Sequence, residues 1–232
     1  SLFLAELALQ AGLPPGVLNV VHGGPDVANR LCEHPDIKAV SFIGSTRVGT
    51  EIYQRASNAG KRCQSMMGAK NHCVITPEAD KEVALNQLVG AAFGAAGQRC
   101  MATSVAVFVG ETKEWIDELV EKTKGLKVNV GTDRTADLGP LVSPQARERV
   151  QRLIKSGVEQ GATLKVDGSD LVVPGYENGN FIGPTLFTDV KANMSIYQEE
   201  IFGPVLVCVH VDTLDDAIEF INANPNGNGV AI

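Results

Sequence analysis

Three short segments hold residue types that can do chemistry. The first is Phe42-Ile43-Gly44-Ser45-Thr46-Arg47-Val48-Gly49. An apolar run ends at a glycine, and a helix-compatible stretch begins one or two residues later. The unpaired amides and positive dipole end of such a helix favour a phosphate, and Gly44 leaves the backbone open to close approach. The spacing Gly-x-x-x-x-Gly is not the usual dinucleotide pattern Gly-x-Gly-x-x-Gly. Taken alone, this segment reads more simply as a tight strand-to-helix turn.

The second segment is Gly94-Ala95-Ala96-Gly97-Gln98-Arg99-Cys100-Met101. A lone Cys is more often a small buried hydrophobe than a nucleophile. Cys100 differs in its approach: glycines and alanines leave room for a substrate and bare amides, and Arg99 adds positive charge that favours a thiolate. Cys32, Cys63, Cys73 and Cys208 lie in helix or strand patterns and are expected to pack. The third segment is Gln198-Glu199-Glu200-Ile201-Phe202-Gly203-Pro204-Val205. Paired carboxylates before an apolar strand are usually a solvated edge; in a functional reading, one accepts hydrogen bonds from a ligand's hydroxyls.

These segments need a scaffold, and apolar periodicity supplies one. Leu2, Leu4, Leu7 and Leu9 suit a helix that ends at Gly12. Val17–Val21 reads as a short buried strand, 26–33 as a helix, 39–43 as a strand and 46–59 as a helix. Strands are expected at 63–67, 73–75, 104–109, near Leu186 and over 205–211. Helices are expected from about Asp80 to Phe93, around Trp115, Leu119 and Val120, from Ser143-Pro144 to about Gln160, and over 213–223. Alternating strands and helices predict an α/β fold, a parallel sheet covered by helices. A composition shift near Gly68-Ala69-Lys70 suggests a boundary between domains 1–68 and 69–232.

Composition narrows the function classes. The chain has 232 residues, 27 acidic and 20 basic, for a net charge of −7, with 44% hydrophobic and 5% aromatic content. That describes an ordinary globular protein rather than a disordered or fibrous one. The acidic balance argues against nucleic acid or an anionic membrane as partner, and no apolar run suggests a membrane span. The five cysteines are odd in number and widely spaced, which points to a reducing compartment rather than a disulfide framework. His22, His34, His72 and His210 stand at no metal-ligand spacing with them, so no metal is expected. The apolar start lacks the features of a signal peptide. No initiating Met is present, and Val230-Ala231-Ile232 resembles the middle of a strand, so an internal fragment of a longer protein is expected.

In this order, the three segments resemble the aldehyde dehydrogenase superfamily, and the resemblance covers the whole chain. Gly12-Leu13-Pro14-Pro15-Gly16-Val17-Leu18-Asn19, Asp137-Leu138-Gly139-Pro140-Leu141 and Gly183-Pro184-Thr185 add to it. The motif from Glu199 to Val205 is the most specific. Met67-Gly68-Ala69-Lys70-Asn71-His72 and Gly97-Gln98-Arg99-Cys100-Met101 resemble its methylmalonate-semialdehyde branch, which acylates coenzyme A. The implied fold is part of a Rossmann-like cofactor domain followed by most of an α/β catalytic domain, truncated at its C-terminal end.

By that resemblance, Cys100 is the nucleophile. Its thiolate attacks the aldehyde carbon, hydride passes to NAD, and a thioester remains on the enzyme. Glu200 holds the nicotinamide ribose, Phe202 lies beside the nicotinamide, and Gly44, Ser45 and Gly49 form the pyrophosphate site. Hydrolytic members carry a Glu where this chain has Met66. A thioether cannot activate water, and general-base assistance is worth roughly 10²–10⁴-fold, so the thioester is left for the thiol of coenzyme A. Arg99 can grip the carboxylate of malonate or methylmalonate semialdehyde, or it only tunes the thiolate or pairs with an acid. The alternatives are a hydrolytic aldehyde dehydrogenase giving a free acid, and an inactive fragment or structural relative. The resemblance also implies a homo-oligomer, dimer or tetramer, when full length. It implies the mitochondrial matrix in a eukaryote and the cytoplasm in a bacterium.

Overall fold

The computed structural model describes residues 1–232. They form two compact units, Ser1–Gly68 and Ala69–Ile232.

The first unit starts with helix α1 (Leu2–Gln10), which stops at Gly12 with φ +97°. Val17–Val21 is not a strand: it lies in irregular chain, with Val17 66% and Val21 64% exposed. An apolar run becomes a strand only when a neighbouring strand takes up its amides and carbonyls. The unit's ladder is instead built from β1 (Ala39–Ile43) and β2 (Arg62–Met66), paired in parallel from Ala39↔Arg62 to Ile43↔Met66. Helix α2 (Pro25–Glu33) precedes them, and α3 (Thr46–Asn58) crosses from β1 to β2. Gly49, Ile52 and Ala56 recur at helical spacing on the buried face of α3. Ile52 and Ala56 pack with Cys32 of α2 and with Val40, Phe42 and Cys63 of the strands. On the wet side, Arg55 reaches Glu33 at 2.6 Å and Glu51 at 3.3 Å.

The second unit is a six-stranded sheet, covered by helices on both faces. Its elements follow in the order β3 (Asn71–Ile75), α4 (Lys81–Phe93), β4 (Thr103–Val109), α5 (Ile116–Lys124), α6 (Pro144–Glu159), β5 (Thr163–Val166), β6 (Thr185–Thr188), α7 (Ser195–Gln198), β7 (Val205–Val211), α8 (Leu214–Asn222) and β8 (Val230–Ala231). Their spatial order is β5-β6-β7-β4-β3-β8. All neighbours are parallel except the antiparallel pair β5–β6. The continuous apolar runs of β4 and β7 are buried on both faces, as a central parallel strand requires. On one face α6 brings Val150, Leu153 and Ile154 and α8 brings Ala217; on the other, α4 brings Leu85 and Leu88 and α5 brings Leu119. Fully buried Phe108 and Phe187 contribute roughly 1.5–3 kcal/mol each.

Side-chain caps fix where these helices begin. Asp80 accepts from the Val83 amide at 3.0 Å and Ser143 from that of Ala146 at 3.2 Å, while Thr213 and Asp216 form a capping box. Each such cap is worth about 1 kcal/mol. Because β3, β4, β7 and β8 run parallel, the segments leading into them gather at one amino edge of the sheet. Those segments are Ala69-Lys70, Gly94–Ala102, Glu199–Pro204 and Asn228-Gly229.

Candidate active site

Helix α4 ends at Phe93, and the chain then makes an uncommon turn. Ala95 and Ala96 both have φ +53°, followed by Gly97 at +67°. Left-handed backbone costs a residue with a Cβ roughly 1–2 kcal/mol, and such strain persists only where the surroundings enforce it. Here the enforcement is visible. A Cβ on Gly97 would lie 2.1 Å from the carbonyl oxygen of Gly203, so this turn and the Glu199–Pro204 segment meet backbone to backbone. Gln98 fixes the next step: its Nε2 donates to the Pro140 carbonyl at 3.2 Å, and its Oε1 accepts from the Val142 amide at 2.9 Å.

Arg99 and Cys100 emerge from this turn exposed. Arg99 Nη2 donates to the Gly90 carbonyl at 2.8 Å and to that of Ala91 at 3.0 Å. A cation suits these last carbonyls of α4. The guanidinium is thus tied to a helix end rather than to an acid. Of the five cysteines, Cys100 is the exposed one; Cys32 and Cys208 are buried, Cys63 and Cys73 half-buried. Burial pushes the thiols of Cys32, Cys73 and, most strongly, Cys208 upward, which disfavours the reactive thiolate there. The Cys100 carbonyl accepts from Asn71 Nδ2 at 2.7 Å and from Asn228 Nδ2 at 2.8 Å.

The acidic pair is not a uniformly solvated edge. Glu199 is exposed and its carboxylate lies 3.6 Å from Arg149. Glu200 is half-buried; burial raises its carboxyl above the usual range, opposed by a hydrogen bond from the Ala69 amide and by the charges of Arg149 and Lys70. The backbone around it is held by two cations. Lys70 Nζ donates to the carbonyls of Ile196 at 2.6 Å and Glu199 at 2.7 Å. Arg149 donates to those of Ile201 at 2.7 Å and Glu200 at 2.5 Å. Lys70 is 2% exposed, and burial pulls its ammonium down to about 7 against the opposing charges of Glu200 and Glu199. Phe202 sits at φ +55° and is 39% exposed, the third segment's own point of strain.

Gly44, Ser45 and Gly49 lie in the first unit. The Gly44 amide donates to the Met66 carbonyl at 3.1 Å, and Ser45 stands at the N-cap of α3 without capping it through its side chain. Gly49 is buried against Met67 and Ser65, where a Cβ would come within 2.4 Å of Met67 Cγ. Met66 is half exposed at the end of β2, and its side chain offers no carboxylate. Each unit offers ligand chemistry of its own. The first-turn amides of the 13-residue α3 keep their donors for an anion. The Glu200 carboxylate, with Ala69 as its donor, retains lone pairs for hydroxyls. No group of three or more His, Cys, Asp or Glu side chains is placed to hold a metal ion, and no helix is long and apolar enough to cross a membrane.

The structure thus brings Arg99, Cys100, Glu200 and Phe202 to adjoining loops of one unit, with Gly44, Ser45 and Gly49 at a turn of the other. Arg149 and Asn228 were not singled out in the sequence, and Lys70 and Asn71 entered only as part of the Met67–His72 motif, without a role. A clue was present for Lys70, Asn71 and His72: three polar residues in a row leading into an apolar strand must each find partners once buried.

A model of the aldehyde dehydrogenase family matches residues 1–232. A Bos taurus protein named methylmalonate-semialdehyde/malonate-semialdehyde dehydrogenase [acylating], mitochondrial, is 58% identical over 100% of this chain and 43% of its own length. The crystal structure of a methylmalonate-semialdehyde dehydrogenase from Oceanimonas doudoroffii is 48% identical and superposes with a TM-score of 0.95, over 99% of this chain and 47% of the other. An aldehyde dehydrogenase from Mycobacterium tuberculosis, complexed with NAD+, is 37% identical with a TM-score of 0.92, over 99% of this chain and 48% of that one. The chain therefore spans under half the length of the relatives it matches.

Proposed function

The chain belongs to the aldehyde dehydrogenase family, and on that premise we propose that it is the nucleophile-bearing segment of an NAD-dependent, coenzyme A-acylating dehydrogenase of malonate and methylmalonate semialdehydes. The observation that carries this is the single exposed thiol, Cys100, on a strained turn packed against the acidic motif. Relatives named as acylating semialdehyde dehydrogenases support the substrate class.

In this reading Cys100 Sγ bonds to the aldehyde carbon, and the Cys100 amide holds the oxygen that becomes negative. Bound NAD supplies the two-electron oxidant that turns this adduct into a thioester. Gly44, Ser45 and Gly49, with the first amides of α3, hold its pyrophosphate; Glu200 accepts from the nicotinamide ribose hydroxyls and Phe202 lies beside the nicotinamide. The strained Phe202 backbone and the carbonyl clamps of Lys70 and Arg149 hold the Glu200 segment in one shape for that task. Arg99 keeps Nη1 and Nε for the substrate carboxylate while Nη2 stays on α4. That carboxyl leaves as carbon dioxide, a proton taking its place on carbon. The thiol of coenzyme A then attacks the thioester, and Cys100 departs as thiolate. With Met66 in place of a carboxylate, water has no base to activate it. The division at Gly68 and Ala69 is read as the end of the cofactor domain and the start of the thiol domain. A full-length dimer or tetramer, in the matrix of a eukaryote or the cytoplasm of a bacterium, completes the proposal.

In the full-length enzyme, Cys100→Ser is expected to remove dehydrogenase turnover, by a factor on the order of 10⁴ or more, while NAD still binds. Turnover retained by that variant rejects Cys100 as nucleophile.

A further inference from the structure

Asn71 is 5% exposed and sits at the first position of β3, where the ladder with β4 slips. Asn71 pairs with Thr103, but His72 pairs with Val105. A bulge of this kind leaves one strand with an extra residue and re-aims what precedes it, which here is Cys100. Two carbonyls of the chain entering β4, ahead of its first ladder residue Thr103, are taken by the Asn71 side chain. Its Nδ2 donates to the carbonyls of Cys100 at 2.7 Å and Ala102 at 2.9 Å. Its Oδ1 accepts from the Gly229 amide at 3.1 Å. Asn228, next to Gly229, adds a second donor to the Cys100 carbonyl at 2.8 Å. Both lone pairs of that carbonyl are thereby used, one toward β3 and one toward the chain entering β8. Since β8 pairs with β3 at His72↔Val230, the two donors are fixed relative to each other.

We propose that Asn71, with Asn228, is a positioning residue for the reaction: it fixes the Cys100 peptide so that the sulfur leaves the strained turn in one direction. This rests on the reading of Cys100 as nucleophile. Cys100 has no side-chain base or cation hydrogen-bonded to hold it; the hydrogen bonds at this residue run through its main chain. Rotation of the Cys100–Met101 peptide would swing Cα and Sγ together, and a displacement of about 1 Å can cost on the order of 10²-fold in rate. Asn71 alone among the side chains of the amino edge bonds the nucleophile's own carbonyl, the carbonyl two residues on, and the chain before β8.

Three full-length variants test this beside a control. Asn71→Ala removes the three bonds, Asn71→Asp keeps the acceptor for Gly229 but sets oxygen against the two carbonyls, and Asn228→Ala removes a single bond from an exposed side chain. The control is Thr112→Val. Thr112 is buried and donates to the carbonyls of Ile75 at 3.2 Å and Val109 at 2.9 Å, at the far end of the same strand pair. Asn71→Ala and Asn71→Asp are expected to slow the single-turnover burst of NADH by about 10²-fold, with KM for the aldehyde within about threefold. Asn228→Ala should slow it about five- to tenfold, and Thr112→Val should lower Tm while leaving the burst unchanged. If a soluble Asn71 variant keeps a wild-type burst, or if Asn228→Ala does so where both Asn71 variants fail to fold, the proposal is overturned. A slow burst in Thr112→Val overturns it too, because general loosening would then explain the effect. Should Cys100→Ser itself turn over, the nucleophile reading falls and this proposal with it; an inactive Cys100→Ser beside a normal Asn71→Ala removes only the clamp.

Discussion

The two units build a loop site in opposite ways. In the first, Gly44 and Ser45 lie where β1 hands over to α3, at the carboxyl end of a parallel strand. This is where open α/β sheets ordinarily place ligands. The chain there is relaxed: neither Gly44 nor Gly49 has a positive φ, and the neighbours that a Cβ would meet are side chains. In the second, Cys100, Glu200 and Phe202 lie in loops entering strands, at the amino edge. No helix start supplies their geometry. Ala95, Ala96, Gly97 and Phe202 are held at positive φ, and buried Lys70 and Asn71, with half-buried Arg149, clasp main-chain carbonyls. A site at a strand-to-helix turn comes with the fold. One at the amino edge must be assembled from strain and buried polar contacts, which makes it sensitive to small changes.

That contrast can be broken by adding a methyl group at different glycines. Gly97→Ala should do the most damage, since its Cβ would meet a backbone carbonyl at 2.1 Å from a left-handed residue. A loss of about 3 kcal/mol or more is expected by denaturant unfolding, along with most of the turnover. Gly49→Ala should cost about 1–3 kcal/mol, because the atoms within 2.9 Å belong to Met67 and Ser65 side chains. Gly44→Ala should cost under about 1 kcal/mol, its nearest neighbour being the ring of Phe42 at 2.6 Å, which can turn away. Equal losses for Gly97→Ala and Gly44→Ala would remove the distinction between the two regions.

Acid sharpens the comparison. His72 is buried against Tyr197, its Nε2 3.1 Å from the hydroxyl, and burial pulls its imidazole down to about 4 from 6.5. Below 6.5 the unfolded chain takes up a proton that the folded one refuses until about 4. Stability is therefore full above 6.5 and falls as pH drops through that window, by up to roughly 3 kcal/mol. Urea unfolding at pH 7, 6, 5 and 4 reads it, and His72→Phe should flatten this part of the slope. An unchanged slope in that variant would locate the acid sensitivity elsewhere.

Much of the architecture was legible because local signals and burial agree. Asp80, Ser143-Pro144 and Thr213 announce helix starts that form as read, and the apolar runs at 104–109 and 205–211 became the central strands. Val17–Val21 shows the limit: the run has the right residues but no ladder beside it. β5 was missed because Thr163–Val166 is a short edge strand without a long apolar run. At the site, Cys100 stood out by its glycine- and alanine-rich approach, whereas Glu200 was picked from its acidic pair only through the resemblance of the motif. Asn71 and Arg149 could not be singled out, since their partners are carbonyls 29 to 52 residues away, and main-chain oxygens leave no mark on a sequence. Arg99 was legible as a cation beside the thiol, but nothing in its neighbours told that one nitrogen would be committed to the end of α4.

The central claim is that an acyl group waits on Cys100 until a carrier thiol removes it. It is tested most directly by mixing the full-length enzyme with malonate semialdehyde and NAD, first without coenzyme A and then with it. The account predicts one stoichiometric burst of NADH, an acyl group recovered on the peptide containing Cys100, and sustained turnover only after coenzyme A is added. Sustained NADH production at the same rate without coenzyme A, with free acid as the product and no acylated Cys100, would contradict it.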